Sequence, residues 1–141
     1  MPSIINGEAA LDEALGALAA ADPLIGELVQ AGARPPLRLR EPGFPGLAAI
    51  IVAQQLSVAS ADAIWARVRA RFDPLEPRTF LAASDEDLRA CGLSLPKMRG
   101  LRAVALAIAE GRLMLDSLGA MAPEDAIAAL TAVKGIGPWT A

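Results

Sequence analysis

Across residues 61–72 the apolar side chains Ala61, Ile64, Trp65, Val68 and Phe72 recur at the spacing that lines one face of an α-helix and neither face of a β-strand. The rest of the chain repeats that rhythm. Leu11, Leu15 and Leu18 predict a helix over residues 8–21. Asp22-Pro23 then supplies an N-cap and a first-position proline for a second helix reaching to about residue 31. Residues 32–45 read as loop, punctuated by Arg34-Pro35-Pro36 and Glu41-Pro42-Gly43. A third helix carries Leu47, Ile50, Ile51 and Gln54 on one stripe, which predicts a buried Gln54 hydrogen-bonded to backbone. Asp73-Pro74 stops the fourth helix.

Short helices follow over 78–82 and 84–90, with Ser84 and Asp87 spaced as a capping box. Ser94 is placed to cap a longer helix whose Leu101, Val104, Ala105 and Ile108 face one way, closed by Gly111. A turn of helix is expected near 113–118. Pro123-Glu124-Asp125 opens the last full helix, with Ile127, Leu130 and Val133 as its apolar side. Aromatic residues make up 4% of the chain and strand-favouring runs are almost absent, so the expectation is an all-α fold, one domain over residues 1–141.

Composition removes whole classes of chemistry. The chain has no His, which excludes Ser-His-Asp and Cys-His nucleophile systems. With no His and the single Cys91, the usual zinc ligand sets and an internal disulfide are excluded as well. Cys91 reads as a small buried apolar residue. Apolar stretches stop well short of the roughly 20 residues of a membrane span, and Glu8, Asp12 and Glu13 stand where a secretory leader would be apolar. The expectation is a cytoplasmic protein. Net charge is −3, yet residues 1–33 hold five acids and no base, so all thirteen bases lie from Arg34 onward against eleven acids. A locally basic face is therefore compatible with the acidic total. Trp65 belongs to a core stripe, and Arg67, Arg69 and Arg71 fall on the other faces of that helix as solvated residues.

Lys134-Gly135-Ile136-Gly137-Pro138-Trp139-Thr140-Ala141 holds the most informative signal. Two glycines one residue apart, directly after an amphipathic helix, permit a tight turn through positive φ. Proline then takes the first position of a new helix, where bare backbone N–H groups can meet an anion such as a DNA phosphate. A helix stop with a glycine-rich connector explains the same spacing.

The wider pattern resembles a known family. Residues 130–141, L-T-A-V-K-G-I-G-P-W-T-A, are similar to the helix-hairpin-helix motif of the DNA glycosylase superfamily named for that hairpin and a downstream Gly/Pro-Asp, with the motif beginning over 122–141. G-I-G-x-W-T-A is similar to the branch that removes 3-methyladenine and other alkylated purines. Ile50-Ile51-Val52-Ala53-Gln54-Gln55-Leu56-Ser57 resembles that branch's I-x-x-Q-Q-x-S segment. Gly92-Leu93-Ser94 with Lys97 and Leu101 resembles its G-L-S-x-x-K-x-x-x-L segment.

The resemblance implies a monofunctional base-excision glycosylase acting on double-stranded DNA that contains alkylated bases, found with the bacterial nucleoid. It implies no cofactor and no obligate protein partner; the chain gives no ground for or against an Fe–S cluster. Backbone amides around Gly135, Ile136 and Gly137 would grip phosphates, flanked by Lys134 and Thr140. Carbonyls near Val133 and Gly135 would hold a monovalent cation. Trp139 would stack on the extruded base, and Gln55 would enter the duplex and fill the vacated space. Each has a plainer alternative: Trp139 as a packing residue, Gln55 as a solvated surface glutamine. Bifunctional members carry a Schiff-base lysine where this chain has Trp139, so lyase activity is not expected.

The resemblance places the catalytic Asp beyond Ala141. The 141 residues alone are therefore expected to be inactive, and to self-associate through the stripes of Leu11, Leu15 and Leu18 and of Leu24, Ile25 and Leu28. A non-catalytic helix-hairpin-helix DNA-binding module is the alternative. The Gln54-Gln55 segment and Trp139 argue against it, since pure phosphate binding needs neither.

Overall fold

A computed structural model describes residues 4–141, and its described residues are all-α, with no strand. The helices are α1 (Glu8–Ala21), α2 (Pro23–Gln30), α3 (Phe44–Ala53), α4 (Val58–Arg71), α5 (Pro77–Leu81), α6 (Asp85–Ala90), α7 (Leu95–Ala109) and α8 (Pro123–Thr131). A 3₁₀ turn over Leu115–Ala120 stands where an α-helical turn was expected slightly earlier. Contacts among the described residues cluster into two compact units, which divide between Arg40 and Glu41.

The first unit is the helical pair α1 and α2. Asp22 ends one helix and starts the other: its carboxylate accepts the N–H groups of Leu24 (2.9 Å) and Ile25 (3.4 Å), two of the donors a helix start leaves unmet. Gly26 lets the helices approach closely, because a Cβ there would lie 3.1 Å from the Ala19 carbonyl oxygen. Arg34 pairs with Glu8 and Asp12 across the open end of the pair. Leu11 is buried and Leu15 and Ile25 are half-buried, whereas Leu18, Leu24 and Leu28 are exposed.

The second unit is built around α7. Met98, Leu101, Val104, Ala105 and Ala107 are fully buried there, and α3, α5 and α6 pack on that helix. Phe80 of α5 stacks edge-on to Phe44 (6.0 Å between ring centres) and tilted to Phe72 (5.5 Å), joining the ends of α3 and α4. Burying each such large apolar side chain contributes about 1.5–3 kcal/mol, so α7 is the axis on which the rest is positioned. Its C-terminus closes as expected, with Gly111 at φ +71° just past the helix.

Local chemistry follows the residues closely. Ser57 caps α4 through Ser60 N–H (3.2 Å), and Ser84 caps α6 through Asp87 N–H (3.1 Å). Ala61 and Val68 of the α4 stripe are buried, with Ile64 and Trp65 packed against the same core. Ser94 occupies the N-cap of α7 without a capping side-chain bond, a correction to the expected cap. Ile127 is another correction: it is exposed, and α8 turns Leu130, with Val133 and Ile136 beyond it, into the core instead. Cys91 is buried with its sulfur near the Arg67 carbonyl, and burial pushes its thiol up, which keeps it inert. Arg67, Arg69 and Arg71 are engaged by the Cys91 carbonyl, Glu41 and Asp87 respectively. Among the described residues, no helix is long and apolar enough to cross a membrane.

Candidate functional site

Three segments far apart in sequence line one groove of about 780 Å³: the end of α3, the start of α7 and the hairpin after α8. The end of α3 is unusual. Gln54 is its C-cap, and the following Gln55 takes φ +57°, the left-handed region, as the only non-glycine among the described residues to do so. Left-handed backbone costs a residue with a Cβ about 1–2 kcal/mol, and such strain persists where surrounding contacts enforce it, often at functional sites.

Those contacts are visible. Lys97 of α7 donates its ammonium to the carbonyls of Ile51 (3.2 Å), Val52 and Gln54 (2.6 Å), while the Ala53 carbonyl accepts Leu56 N–H (3.2 Å). Every carbonyl from Ile51 to Gln54 thus has a donor. Burial pushes the Lys97 ammonium below the usual lysine range. Gln55 itself is exposed and free to project.

Gln54 departs from expectation in its partner. It is half-buried, and its Nε2 donates to Thr140 Oγ1 at 2.8 Å rather than to backbone. The helical stripe ends one residue before it, so its side chain leaves the core and crosses the groove to the hairpin. Thr140, expected to flank a phosphate contact, is held by this bond.

In the hairpin only one glycine bends the chain. Gly135 takes φ +103°, and a Cβ there would lie 3.1 Å from the Cα of Gly100 on α7. Gly137 lacks a positive φ and has open space around it, so the tight turn that the glycine pair permits runs through Gly135. Ile136 is buried, and its N–H donates to the Val133 carbonyl at 3.1 Å, so this amide, expected to reach a phosphate, is already engaged. Among the described residues, the Gly135 and Gly137 amides have no protein acceptor. The Gly137 carbonyl accepts Thr140 and Ala141 N–H, both at 3.0 Å, so a helical turn begins at Pro138 as expected.

Trp139 is fully exposed at the rim of the groove (101% of its reference area), and Lys134 is exposed beside the hairpin. No Asp or Glu lines the groove, and no group of three or more His, Cys, Asp or Glu residues among the described residues is placed to hold a metal. The monovalent cation implied by the resemblance would meet only backbone oxygens. The Val133 carbonyl keeps one lone pair and the Gly135 carbonyl accepts no backbone N–H among the described residues, a donor set that fits a hard cation. Of the implied residues, Gln55, Gly135, Trp139 and Thr140 come together at the groove. Spacing within the G-L-S-x-x-K segment gives Lys97 no role, because its contacts lie 43 to 46 residues away.

Residues 48–136 match the family described as HhH-GPD superfamily base excision DNA repair protein. Over 65 residues, 46% of this chain and 23% of the relative, the sequence is 38% identical to Bacillus subtilis (strain 168) YfjP, provisionally named a DNA-3-methyladenine glycosylase. The fold is similar to a crystal structure of DNA-3-methyladenine glycosidase from Bacillus halodurans, at 34% identity and a TM-score of 0.74 over 87% of this chain and 58% of that one. It is also similar to Schizosaccharomyces pombe 3-methyladenine DNA glycosylase Mag1 in complex with abasic DNA, at 29% identity and a TM-score of 0.80 over 91% of this chain and 66% of that one. The chain spans less than two thirds of each of these proteins. With the hairpin and the Gln54-Gln55 turn at one groove, the chain belongs to the HhH-GPD superfamily of base excision DNA repair proteins.

Proposed function

We propose that this chain engages damaged DNA in a monofunctional glycosylase that extrudes alkylated purines such as 3-methyladenine and hydrolyses their N-glycosidic bond, acting on chromosomal DNA in the bacterial cytoplasm. The observation that carries the reading is the convergence of Gln55, the hairpin and Trp139 on one groove, tied by the Gln54–Thr140 hydrogen bond. The names of the similar proteins agree with it.

Each group has a task in this reading. The free amides of Gly135 and Gly137 receive phosphate oxygens beside the lesion, with Lys134 adding charge. A cation at the Val133 and Gly135 carbonyls would offset phosphate charge there. Gln55 fills the gap left by the extruded nucleotide. Alkylation at a purine ring nitrogen makes the base cationic and a good leaving group. The exposed indole of Trp139 offers such a base a π-face, which attracts cations. Hydrolysis further needs a carboxylate to stabilise the oxocarbenium-like sugar or activate water, and the described residues bring none to this groove.

Trp139 stands where bifunctional relatives carry a Schiff-base lysine, which favours hydrolysis over lyase chemistry. Incubation of the full-length protein with methylated duplex DNA is expected to release 3-methyladenine, read by chromatography, and to leave intact strands that break only on alkali treatment. Direct nicking at neutral pH would overturn the monofunctional assignment. Binding without any base release would favour a non-catalytic DNA-binding module.

A further inference from the structure

We propose that Lys97 is a positioning residue: by closing the end of α3 with its ammonium, it holds Gln55 in the left-handed turn that presents this side chain to DNA. The proposal rests on the reading of Gln55 as the residue that enters the duplex. Two separate oddities meet in it. Gln55 sits at φ +57° where glycine would be easier. Lys97 sits at the third position of α7, in a first turn that holds no acid, where the positive end of the helix dipole disfavours a cation. One geometry accounts for both.

The C-terminus of α3 points its last carbonyls, and the negative end of its dipole, at the Lys97 ammonium. An ammonium has three N–H donors, and here they meet three carbonyls, those of Ile51, Val52 and Gln54. The Gln54 carbonyl belongs to the peptide that leads into Gln55, so fixing that oxygen fixes the plane from which Gln55 departs. The Gln54 side chain is held as well, by Thr140. The backbone on the N-terminal side of Gln55 is therefore clamped to α7, and the neighbouring side chain to the hairpin. With Lys97 removed, the Val52 and Gln54 carbonyls lose their donor, the Ile51 carbonyl keeps only the Gln54 N–H (3.3 Å), and the turn relaxes toward ordinary φ, which re-aims the Gln55 side chain. Lys97 touches no DNA in this account and acts through Gln55 alone.

A double-mutant cycle in the full-length protein tests this. Affinity is measured by fluorescence anisotropy for a duplex carrying a tetrahydrofuran abasic-site analogue and for the intact duplex of the same sequence. Wild type should prefer the abasic duplex, and Gln55→Ala and Lys97→Met should each reduce that preference about tenfold. The double variant should be no worse than Gln55→Ala alone, because the lysine then has no side chain left to position. Additive losses, or an unchanged preference in Lys97→Met, would overturn the proposal. A lost global fold would lower affinity for both duplexes together, which a preference ratio does not register. If Lys97→Met fails to fold, Lys97→Arg takes its place in the cycle with the same outcomes, because a planar guanidinium cannot converge on three carbonyls around one point. Absence of any preference in wild type would instead refute the role of Gln55 itself, and the role of Lys97 would fall with it.

Discussion

Replacing Gly135 with valine is expected to destabilise the hairpin by about 2–5 kcal/mol, from left-handed backbone strain and overpacking together, and to reduce DNA affinity by more than tenfold. The glycine is required twice. Its φ of +103° is one that a β-branched residue adopts only as an outlier. A Cβ would also meet the Gly100 backbone at 3.1 Å, and a helix backbone cannot swing away as a side-chain tip would. The hairpin would lift from α7, carrying Trp139 and Thr140 with it. Gly137→Val makes an informative comparison, since that residue has no positive φ and open space around it. It should leave the melting temperature close to wild type while still hindering the approach of the Gly137 amide to phosphate. Arg69→Ala should change neither, because its surface ion pair with Glu41 contributes little. Thermal unfolding and anisotropy titrations on the three variants check this ordering. Equal melting temperatures for the Gly135 and Gly137 variants would contradict it.

Trp139→Ala is expected to leave stability untouched and to lower kcat/KM for excision of alkylated purines by about 10- to 100-fold, the worth of base–aromatic stacking and a cation–π contribution. The indole is fully exposed among the described residues, so its removal opens no core there. That separation is diagnostic. A packing tryptophan would lower the melting temperature by several degrees and slow excision only indirectly. Trp139→Phe should recover most of the rate, since a π-face remains, though a weaker one for cations. Single-turnover excision assays on the full-length protein, set beside melting curves, distinguish the two. An unchanged rate in Trp139→Ala would remove this residue from the base-binding role.

Local geometry was readable from residue patterns, and contacts across the fold were not. The bounds of α1 follow from Leu11, Leu15 and Leu18 together with Asp22-Pro23, because both the apolar period and the cap are properties of neighbouring residues. Gly111 ends α7 for the same kind of reason. The hairpin was readable as a glycine turn followed by a proline-led helix, yet not which glycine would bend. Steric freedom exists at both Gly135 and Gly137, and the approach of α7 at Gly100 decides between them. Gln54 was expected inside the core because its helical phase points there, but the helix ends at Ala53 and Thr140, 86 residues away, takes the side chain. Ile127 shares the period of Leu130 but lies exposed, since period predicts a face and not how far along the helix its cover extends. The Lys97 clamp depends on α3 meeting α7, and the Gln54–Thr140 bond on α3 meeting the hairpin, and spacing along one segment carries no trace of either.

The central claim is that the α3 turn and the hairpin act on one DNA lesion together. A crystal structure of the full-length protein bound to a duplex with an abasic-site analogue tests it most directly. The account predicts Gln55 inserted into the gap, the Gly135 and Gly137 amides on phosphate oxygens, and Trp139 facing the extrahelical sugar. DNA bound with Gln55 outside the duplex, or on a face away from the hairpin, would contradict it.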